Sequence, residues 1–139
     1  RLDEGEQRGH FRHPPVEEFA RLVIAELKTL GIDQLCTVQS FDKRALRAMH
    51  QQAPEIRLAL LIENILGFDS NIRELGFTPQ IYSPYYQLVT KKLVRKCHNK
   101  NIQLVPWTVN DVASMRGLIR LGVDGIITDY PNLIASVGG

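Results

Sequence analysis

The chain has 139 residues, of which 44% are hydrophobic and 23% charged, and this composition fits one globular domain with a sizeable core. Its 17 basic and 15 acidic residues are spread along the chain, so no strong field favours a nucleic acid or an anionic membrane as partner. No apolar run approaches the roughly 20 residues that span a bilayer, and two cysteines make no disulfide framework.

The first predicted elements are a helix, a strand and a second helix. Apolar residues recur at helical spacing from Val16 onward, and Gly31 is placed to end this helix in the left-handed conformation. A buried strand is predicted at 35–38. After it, Asp42 or Ser40 is available to cap the second helix.

The middle of the chain predicts two more strands with a less regular stretch between them. The apolar run 56–62 predicts a buried strand. Glycine and polar residues then suggest a loop with a short helix around 72–75. A strand at 80–82 follows, and we expect Ser83-Pro84 to break it, because proline restricts the backbone and donates no hydrogen bond.

The last third predicts two further strands and three helices, recognised from the same periodicities and capping signals. They are, in order, a helix at 88–98, a strand at 102–107, a helix capped by Asn110 or Asp111 and ended by Gly122, a strand at 125–128 and a short helix at 131–134.

This regular alternation predicts an α/β fold of about five βα units with a parallel sheet. A five-stranded doubly wound sheet would give the same pattern. However, the turn after the first strand, residues 39–42 (Gln-Ser-Phe-Asp), has none of the glycines of a phosphate-binding turn. A nucleotide-binding function is therefore disfavoured.

Three motifs resemble landmarks of the glycerophosphodiester phosphodiesterases, in the same order and at suitable distances. They are 38–42 (Val-Gln-Ser-Phe-Asp), 106–110 (Pro-Trp-Thr-Val-Asn) and 122–131 (Gly-Val-Asp-Gly-Ile-Ile-Thr-Asp-Tyr-Pro). Stretches 13–19 and 76–86 resemble bacterial members, so the similarity extends from His13 to Leu133. The resemblance implies a partial TIM (β/α)8 barrel, strands four to eight, since such barrels have about 250 residues. The expected domain is 1–139, with a polar loop at 1–14 and βα units at 15–139.

The resemblance also implies a hydrolase of glycerol and lipid metabolism. The family cleaves glycerophosphodiesters to glycerol 3-phosphate and an alcohol with a divalent cation, often calcium or magnesium. Its His-Arg-Gly motif, acidic metal ligands and Glu-x-Lys element belong to strands one to three. None is found here at the end of a strand, and the only Glu-x-Lys sequence, Glu26-Leu27-Lys28, lies inside a helical pattern. We therefore expect no catalytic residue and no metal ligand in this chain, and no activity from the chain alone. Whether it acts as an enzyme stays open.

Four residues are the candidates for substrate binding, because barrel active sites gather at the carboxyl ends of the strands. Trp107 is the first, since the matching family tryptophan lies near the substrate, although a large aromatic can also simply fill a core. Gln39 could bind a phosphate or hydroxyl, and Glu63 could face the pocket or remain a solvated acid. Tyr82 represents a tyrosine cluster with Tyr85 and Tyr86, whose spacing does not say which ring lines the pocket.

Other polar residues receive structural interpretations. We expect Asn110 and Asp129 to be helix caps, and His10 and His13 to form at best a weak metal-binding pattern. The basic residues of the helix at 88–98 are expected to be a solvated face.

Two hypotheses remain. The chain is the carboxyl-terminal part of a metal-dependent phosphodiesterase that acts on a small glycerophosphodiester, or it is a non-catalytic α/β fragment that self-associates through open sheet edges. The sequence does not indicate whether the compartment is the cytoplasm or the periplasm.

Overall fold

Strands and helices alternate along residues 15–137, which are the residues that the computed structural model describes. The predicted polar loop at 1–14, including His10 and His13, lies outside them. Within 15–137, no helix is both long and apolar enough to span a membrane. The elements are α1 (Val16–Leu30), β1 (Thr37–Ser40), α2 (Lys43–Gln52), β2 (Arg57–Ile62), α3 (Phe68–Leu75), β3 (Ile81–Pro84), α4 (Lys91–Asn99), β4 (Gln103–Leu104), α5 (Val112–Leu121) and α6 (Ile134–Val137).

The four strands form one parallel sheet in the order β1-β2-β3-β4. Each strand therefore lies beside the strand that precedes it in the chain, and a helix connects every parallel pair. A doubly wound sheet reverses its strand order at a switch point, and these four strands contain no such reversal. The α/β prediction is confirmed, and the order is that of a barrel.

One face of the sheet carries the hydrophobic core. Leu60, Tyr82 and Leu104 are partners in register across three strands, and each is at most 2% exposed. The helices pack their apolar stripes against this side, which we call the helix face. Fully buried core residues contributed by the helices include Leu46, Leu75, Cys97 and Met115.

Most predicted helix ends are confirmed by their caps. Gly31 and Gly122 are left-handed, with φ of 71° and 97°, and they end α1 and α5. The Asp42 carboxylate accepts from the Arg44 N–H at the start of α2, and Asp111 accepts from the Ser114 N–H at the start of α5.

Two helices begin at positions that were not predicted. The helix expected at 88–98 begins only after Thr90, because Tyr86–Leu88 form a 3₁₀ turn and the Thr90 hydroxyl caps α4. The short helix expected at 72–75 already begins at Phe68, directly after Gly67, whose φ of 94° suits glycine.

The first strand begins two residues later than predicted. The N–H groups of Leu35 and Cys36 both donate to the carbonyl of Ile32, at 2.9 and 3.1 Å, and so belong to a turn after α1. They are not free to pair with β2. Leu35 is 83% exposed, and the strand occupies Thr37–Ser40 instead.

The expected break at Ser83-Pro84 is wrong, because Ser83 compensates for the proline. In the register of β3 and β4, the N–H that proline lacks at position 84 would meet the carbonyl of Val105. The Ser83 hydroxyl donates to that carbonyl at 2.5 Å. The ladder then continues, with Trp107 N–H donating to the Pro84 carbonyl at 3.0 Å.

The strand predicted at 125–128 runs beside β4 without forming a regular ladder. The Ile127 N–H donates to the Pro106 carbonyl, and the Val109 N–H donates to the Ile127 carbonyl, each at 2.9 Å. In a regular parallel ladder, the residue that accepts from Ile127 and the residue that donates to it are separated by one residue. Here Pro106 accepts and Val109 donates, so two residues, Trp107 and Thr108, lie between them. The extra residue is a bulge. The strand predicted at 102–107 is likewise reduced to Gln103–Leu104, followed by a single bridge at Trp107.

Candidate functional site

The face of the sheet opposite the helices brings several of the predicted site residues together. Successive side chains of a strand alternate between faces, so Gln39, which pairs with Ala59, lies opposite the core residues. By the same alternation Tyr85 lies on the side of Ile81 and Ser83, and Tyr85 forms a parallel bridge with Trp107.

Three aromatic rings meet at the carboxyl edge of this face: Phe41, Tyr85 and Trp107, here called the aromatic cluster. The Trp107 ring centroid lies 5.6 Å from that of Phe41 and 5.4 Å from that of Tyr85, both in edge-to-face geometry. Such pairs contribute roughly 0.5–1.5 kcal/mol beyond their buried area.

The contact between Phe41 and Trp107 also shows that the sheet curves. Phe41 follows β1 and Trp107 follows β4, and in a flat sheet these strands would lie about 14 Å apart, three spacings of about 4.8 Å. Rings only 5.6 Å apart require both side chains to project from the concave side. The face opposite the helices is therefore concave, as the inside of a barrel is.

Trp107 is held in place by its indole. Its Nε1–H donates to the carbonyl of Ser83 at 2.9 Å, while its backbone N–H donates to Pro84 and its carbonyl accepts from Tyr86. The ring is half-buried, and its two aromatic neighbours are 49% (Phe41) and 36% (Tyr85) exposed. A fixed indole between two accessible rings suits contact with a ligand.

Gln39 and Glu63 lie near the cluster in different ways. Gln39 is exposed on the concave face of β1. Glu63 is exposed and directly follows the last residue of β2, at the carboxyl edge. Within residues 15–137, Glu63 has no Lys, Arg or His within ion-pairing distance.

Tyr82 does not join these residues, because the structure places it on the helix face. Its ring packs edge-to-face on Phe68 of α3 at 5.0 Å, and its hydroxyl accepts from the Asn71 amide at 3.1 Å. Burial raises the pKa of Tyr82 to about 12. The tyrosine that faces the concave side is Tyr85, which the spacing alone did not single out.

Phe41 is the other residue that the sequence did not select, since it was expected only to shape a turn. The sequence nevertheless contains a pattern that indicates both Phe41 and Tyr85. Phe41 and Tyr85 each come one residue after a strand, and each shares parity with a residue on the concave face, Gln39 or Ser83. That parity becomes known only when the strand register is known.

Asn110 and Asp129 do not cap helices; they connect two loops at the carboxyl edge. The Asn110 side-chain oxygen accepts from the Asp129 N–H at 3.0 Å and from the Thr128 hydroxyl at 3.2 Å. Its amide donates to the Asp129 carboxylate at 3.1 Å. Asp111 caps α5 instead, so Asn110 is free to fasten the segment after the bulge.

Asp124 performs a similar role at the opposite edge. Its carboxylate accepts from the Leu104 N–H at 2.7 Å and lies 2.8 Å from His98 Nε2, while its own N–H donates to the Leu104 carbonyl. The predicted 125–128 strand is thus tied to β4 at both ends, which compensates for its irregular ladder.

The described residues do not form a site for the divalent cation that the family implies. Among residues 15–137 there is no group of three His, Cys, Asp or Glu side chains able to hold a metal ion. Calcium takes six to eight oxygen ligands, and magnesium needs near-octahedral geometry. The Glu63 carboxylate could supply at most two of these oxygens, so these residues alone do not fit such an ion.

The sequential strand order, the curvature and the cluster at the carboxyl edge define a segment of a (β/α)8 barrel. The sequence profile of the glycerophosphoryl diester phosphodiesterase family matches residues 10–133, and the chain belongs to that family. The resemblance inferred from the three motifs is confirmed.

Two relatives illustrate the match. A glycerophosphodiester phosphodiesterase of Caldanaerobacter subterraneus subsp. tengcongensis is 29% identical over 131 residues, which are 93% of this chain and 51% of that protein. One of Bacillus subtilis is 31% identical over 103 residues, 72% of this chain and 35% of that protein. The chain thus spans about half the length, or less, of the curated relatives it matches.

Solved structures agree on the fold. A glycerophosphodiester phosphodiesterase from Parabacteroides distasonis superposes with a TM-score of 0.75 at 24% identity, covering 99% of this chain and 53% of that one. A phosphodiesterase from Oleispira antarctica, solved in complex with the product sn-glycerol-3-phosphate, gives 0.75 at 20%, covering 88% and 49%.

Proposed function

We propose that this chain is the carboxyl-terminal part, strands four to eight, of a barrel enzyme that hydrolyses glycerophosphodiesters to glycerol 3-phosphate and an alcohol. The observation that carries the proposal is the aromatic cluster, which stands at the carboxyl edge where barrel enzymes bind substrate. The names of the relatives supply the reaction class. Such a reaction belongs to glycerol and lipid metabolism.

In this proposal the aromatic cluster forms one wall of the substrate pocket. Trp107, fixed by its bond to Ser83, offers an apolar surface to the carbon atoms of the glycerol or of the alcohol group. Phe41 and Tyr85 extend that surface on either side. By excluding water there, the wall strengthens every polar interaction inside the pocket.

Two further residues complete the proposed wall. Gln39 donates from its amide to a phosphoryl or hydroxyl oxygen, and Glu63 accepts from a substrate hydroxyl. A divalent cation, calcium or magnesium, neutralises the phosphoryl oxygens when it is bound. Its ligands, and the acid and base that move protons, are supplied by residues other than those described here.

The first test is an assay of the 139-residue chain. With glycerophosphocholine as substrate and either Ca²⁺ or Mg²⁺ present, we expect no glycerol 3-phosphate to form under conditions where the Caldanaerobacter enzyme, as control, is readily measured. Metal-dependent release by this chain alone would contradict the division of the site that we propose.

The second test addresses the wall itself, in a longer protein that joins this chain to the preceding barrel strands. We expect Trp107→Ala to lower kcat/KM by at least tenfold, more than its effect on stability explains. The matched control is Leu60→Ala, which destabilises the helix face without touching the cluster. If Trp107→Ala and Leu60→Ala lower stability equally and also lower kcat/KM equally, the role of Trp107 is purely structural.

A second candidate function is self-association without catalysis. Among the described strands β1 pairs with β2 alone, and the large apolar residues Leu35 and Phe41 beside it are 83% and 49% exposed. Open strand edges are templates for pairing with another chain. Light scattering at micromolar concentrations should then show dimers or larger species, and Gln39→Lys should reduce them more than Gln87→Lys. A stable monomer would exclude this candidate.

A further inference from the structure

A cavity lies on the helix face of the sheet, on the side away from the aromatic cluster. Its volume is about 280 Å³, at the lower end of the roughly 300–1,000 Å³ range of small-molecule sites. It opens between α3 and α4, close to the carboxyl ends of β2 and β3. Its lining residues form an apolar floor, a cationic rim and an apolar mouth.

The floor of the cavity is apolar. It is built mainly from Ile62, Phe68, Tyr82, Leu88 and Leu93. The Tyr82 hydroxyl oxygen in this floor accepts from Asn71, whose own side chain also bonds Asn64 and Lys43. A ligand that enters therefore meets a mainly apolar surface, which suits an alkyl chain.

The rim of the cavity is cationic. Lys96 lines it and is held by Asp69 at 2.7 Å. Lys92 lines it as well, and within residues 15–137 no carboxylate lies within ion-pairing distance of its ammonium group. Lys92 thus retains a positive charge that a ligand's anionic group can approach.

The mouth of the cavity has an unusual apolar residue. Ile65 lines the cavity and yet is 88% exposed, so its side chain stands in water at the entrance. Covering it with hydrocarbon would be favourable, because apolar surface would be removed from water. The apolar floor, the apolar mouth and Lys92 line one continuous opening.

We propose that this cavity binds a single-chain anionic amphiphile, with the alkyl chain on the floor and a carboxylate or phosphate head at Lys92. The proposal is independent of the phosphodiesterase reaction, since the sheet separates this cavity from the aromatic cluster. The apolar floor favours a ligand with an alkyl chain, and the Lys92 ammonium group favours an anionic over a neutral head group.

Isothermal titration calorimetry on the 139-residue chain tests the binding, with probes kept below their micelle-forming concentrations. We expect octyl phosphate and decanoate to bind, octan-1-ol to bind at least tenfold more weakly, and inorganic phosphate not to bind. The two anionic probes distinguish a phosphate head from a carboxylate head. Equal affinity for octyl phosphate and octan-1-ol, or no binding of either anionic probe, would overturn the proposal.

Two pairs of surface variants locate the site without endangering the fold. Lys92→Gln should weaken octyl phosphate binding about tenfold, whereas Lys91→Gln, on the neighbouring exposed lysine outside the cavity, should leave it unchanged. Ile65→Ser should weaken it severalfold, whereas Leu66→Ser, at a 56% exposed leucine outside the cavity, should not. Equal effects within both pairs would overturn the assignment.

A bilayer is the competing explanation for lysines beside an exposed isoleucine. Sedimentation with vesicles of phosphatidylcholine containing phosphatidylglycerol separates the two. Binding to vesicles without binding of the monomeric probes would mean that this surface contacts a membrane, and the proposed cavity ligand would be wrong.

Discussion

The two faces of the sheet use aromatic residues in opposite ways. On the helix face, Tyr82 is 2% exposed, packs on Phe68 and has its hydroxyl bonded. Three residues later in the chain, Tyr85 is 36% exposed, and its ring contacts those of Trp107 and Tyr86. One ring completes a core, while the other is left available to a ligand.

The difference shows that the face of the sheet on which a side chain lies, more than its residue type, decides whether it belongs to the core or to the candidate site. On the helix face, Leu60, Tyr82 and Leu104 are covered by the helices, and the Tyr82 hydroxyl accepts a hydrogen bond from Asn71. The concave face keeps accessible aromatic surface at one edge, and that surface calls for a partner outside the described residues.

The largest expected effect comes from truncating the covered face. Leu60→Ala removes a fully buried side chain and should lower the free energy of unfolding by about 2–5 kcal/mol. The neighbouring Leu61 faces the concave side and is only half-buried, so Leu61→Ala should cost clearly less. Urea unfolding of both variants measures the difference, and equal losses would remove the distinction between the faces.

A smaller effect is expected from the hydrogen bond between the Ser83 hydroxyl and the Val105 carbonyl, which compensates for the missing N–H of Pro84 in β3. Ser83→Ala leaves the Val105 carbonyl without its hydroxyl donor, where Pro84 has no N–H to offer. The free energy of unfolding should fall by about 1–3 kcal/mol. Ser136→Ala, at an exposed site, is the control. No loss at Ser83 would mean that the ladder does not depend on this hydroxyl.

The next effect is a pH dependence confined to the helix face. Burial raises the pKa of Tyr82 from 10.0 to about 12, although the bond from Asn71 opposes the shift. Between these values the unfolded chain loses a proton that the folded chain keeps, so stability falls as pH rises. Tyr82→Phe should make this decline shallower by up to about 1.4 kcal/mol per pH unit.

Urea unfolding of the wild type and Tyr82→Phe at pH 9, 10 and 11 measures this slope. The loss of the hydrogen bond from Asn71 lowers stability equally at all three pH values, so it does not change the slope. Cys97 retains its own alkaline dependence, since burial raises its pKa from 9.0 to about 12. Identical slopes for the wild type and Tyr82→Phe would show that Tyr82 is not buried as described.

The smallest effect is expected from the surface ion pair between Asp69 and Lys96. The hydrogen bond from Lys96 lowers the pKa of Asp69, so this contact stabilises the fold above the ordinary pKa of 3.8 and is lost as pH falls below it. Asp69→Asn should therefore destabilise slightly at pH 7 and not at pH 2, and high salt should reduce the difference. Glu26→Gln serves as control.

The sequence predicted what local signals determine. The α1 helix with its terminal Gly31, the cap at Asp42 and the alternation of strands and helices all depend on neighbouring residues, and all are confirmed. The sequence mispredicted the break at Ser83-Pro84, because the compensating acceptor, Val105, is distant in the chain.

The candidate site shows the same division. Trp107 and Gln39 were selected because a motif and a strand end located them near the carboxyl edge, and their role in binding stays a prediction. The choice of Tyr82 over Tyr85 depended on which face each ring takes, and this follows from register with β4, which no local pattern contains. Asn110 was assigned to a cap because its contact with Asp129 crosses 19 positions of the chain.

The indole at the carboxyl edge has one more consequence. Trp107 is the only tryptophan in the chain, and it stands between Phe41 and Tyr85, with its Nε1–H on a backbone carbonyl. Intrinsic fluorescence excited at the indole therefore reports on the concave edge and on no other place. The molecule carries its own optical probe at the position where we propose that a substrate binds, while the cavity on the helix face has no tryptophan and does not contribute to this signal.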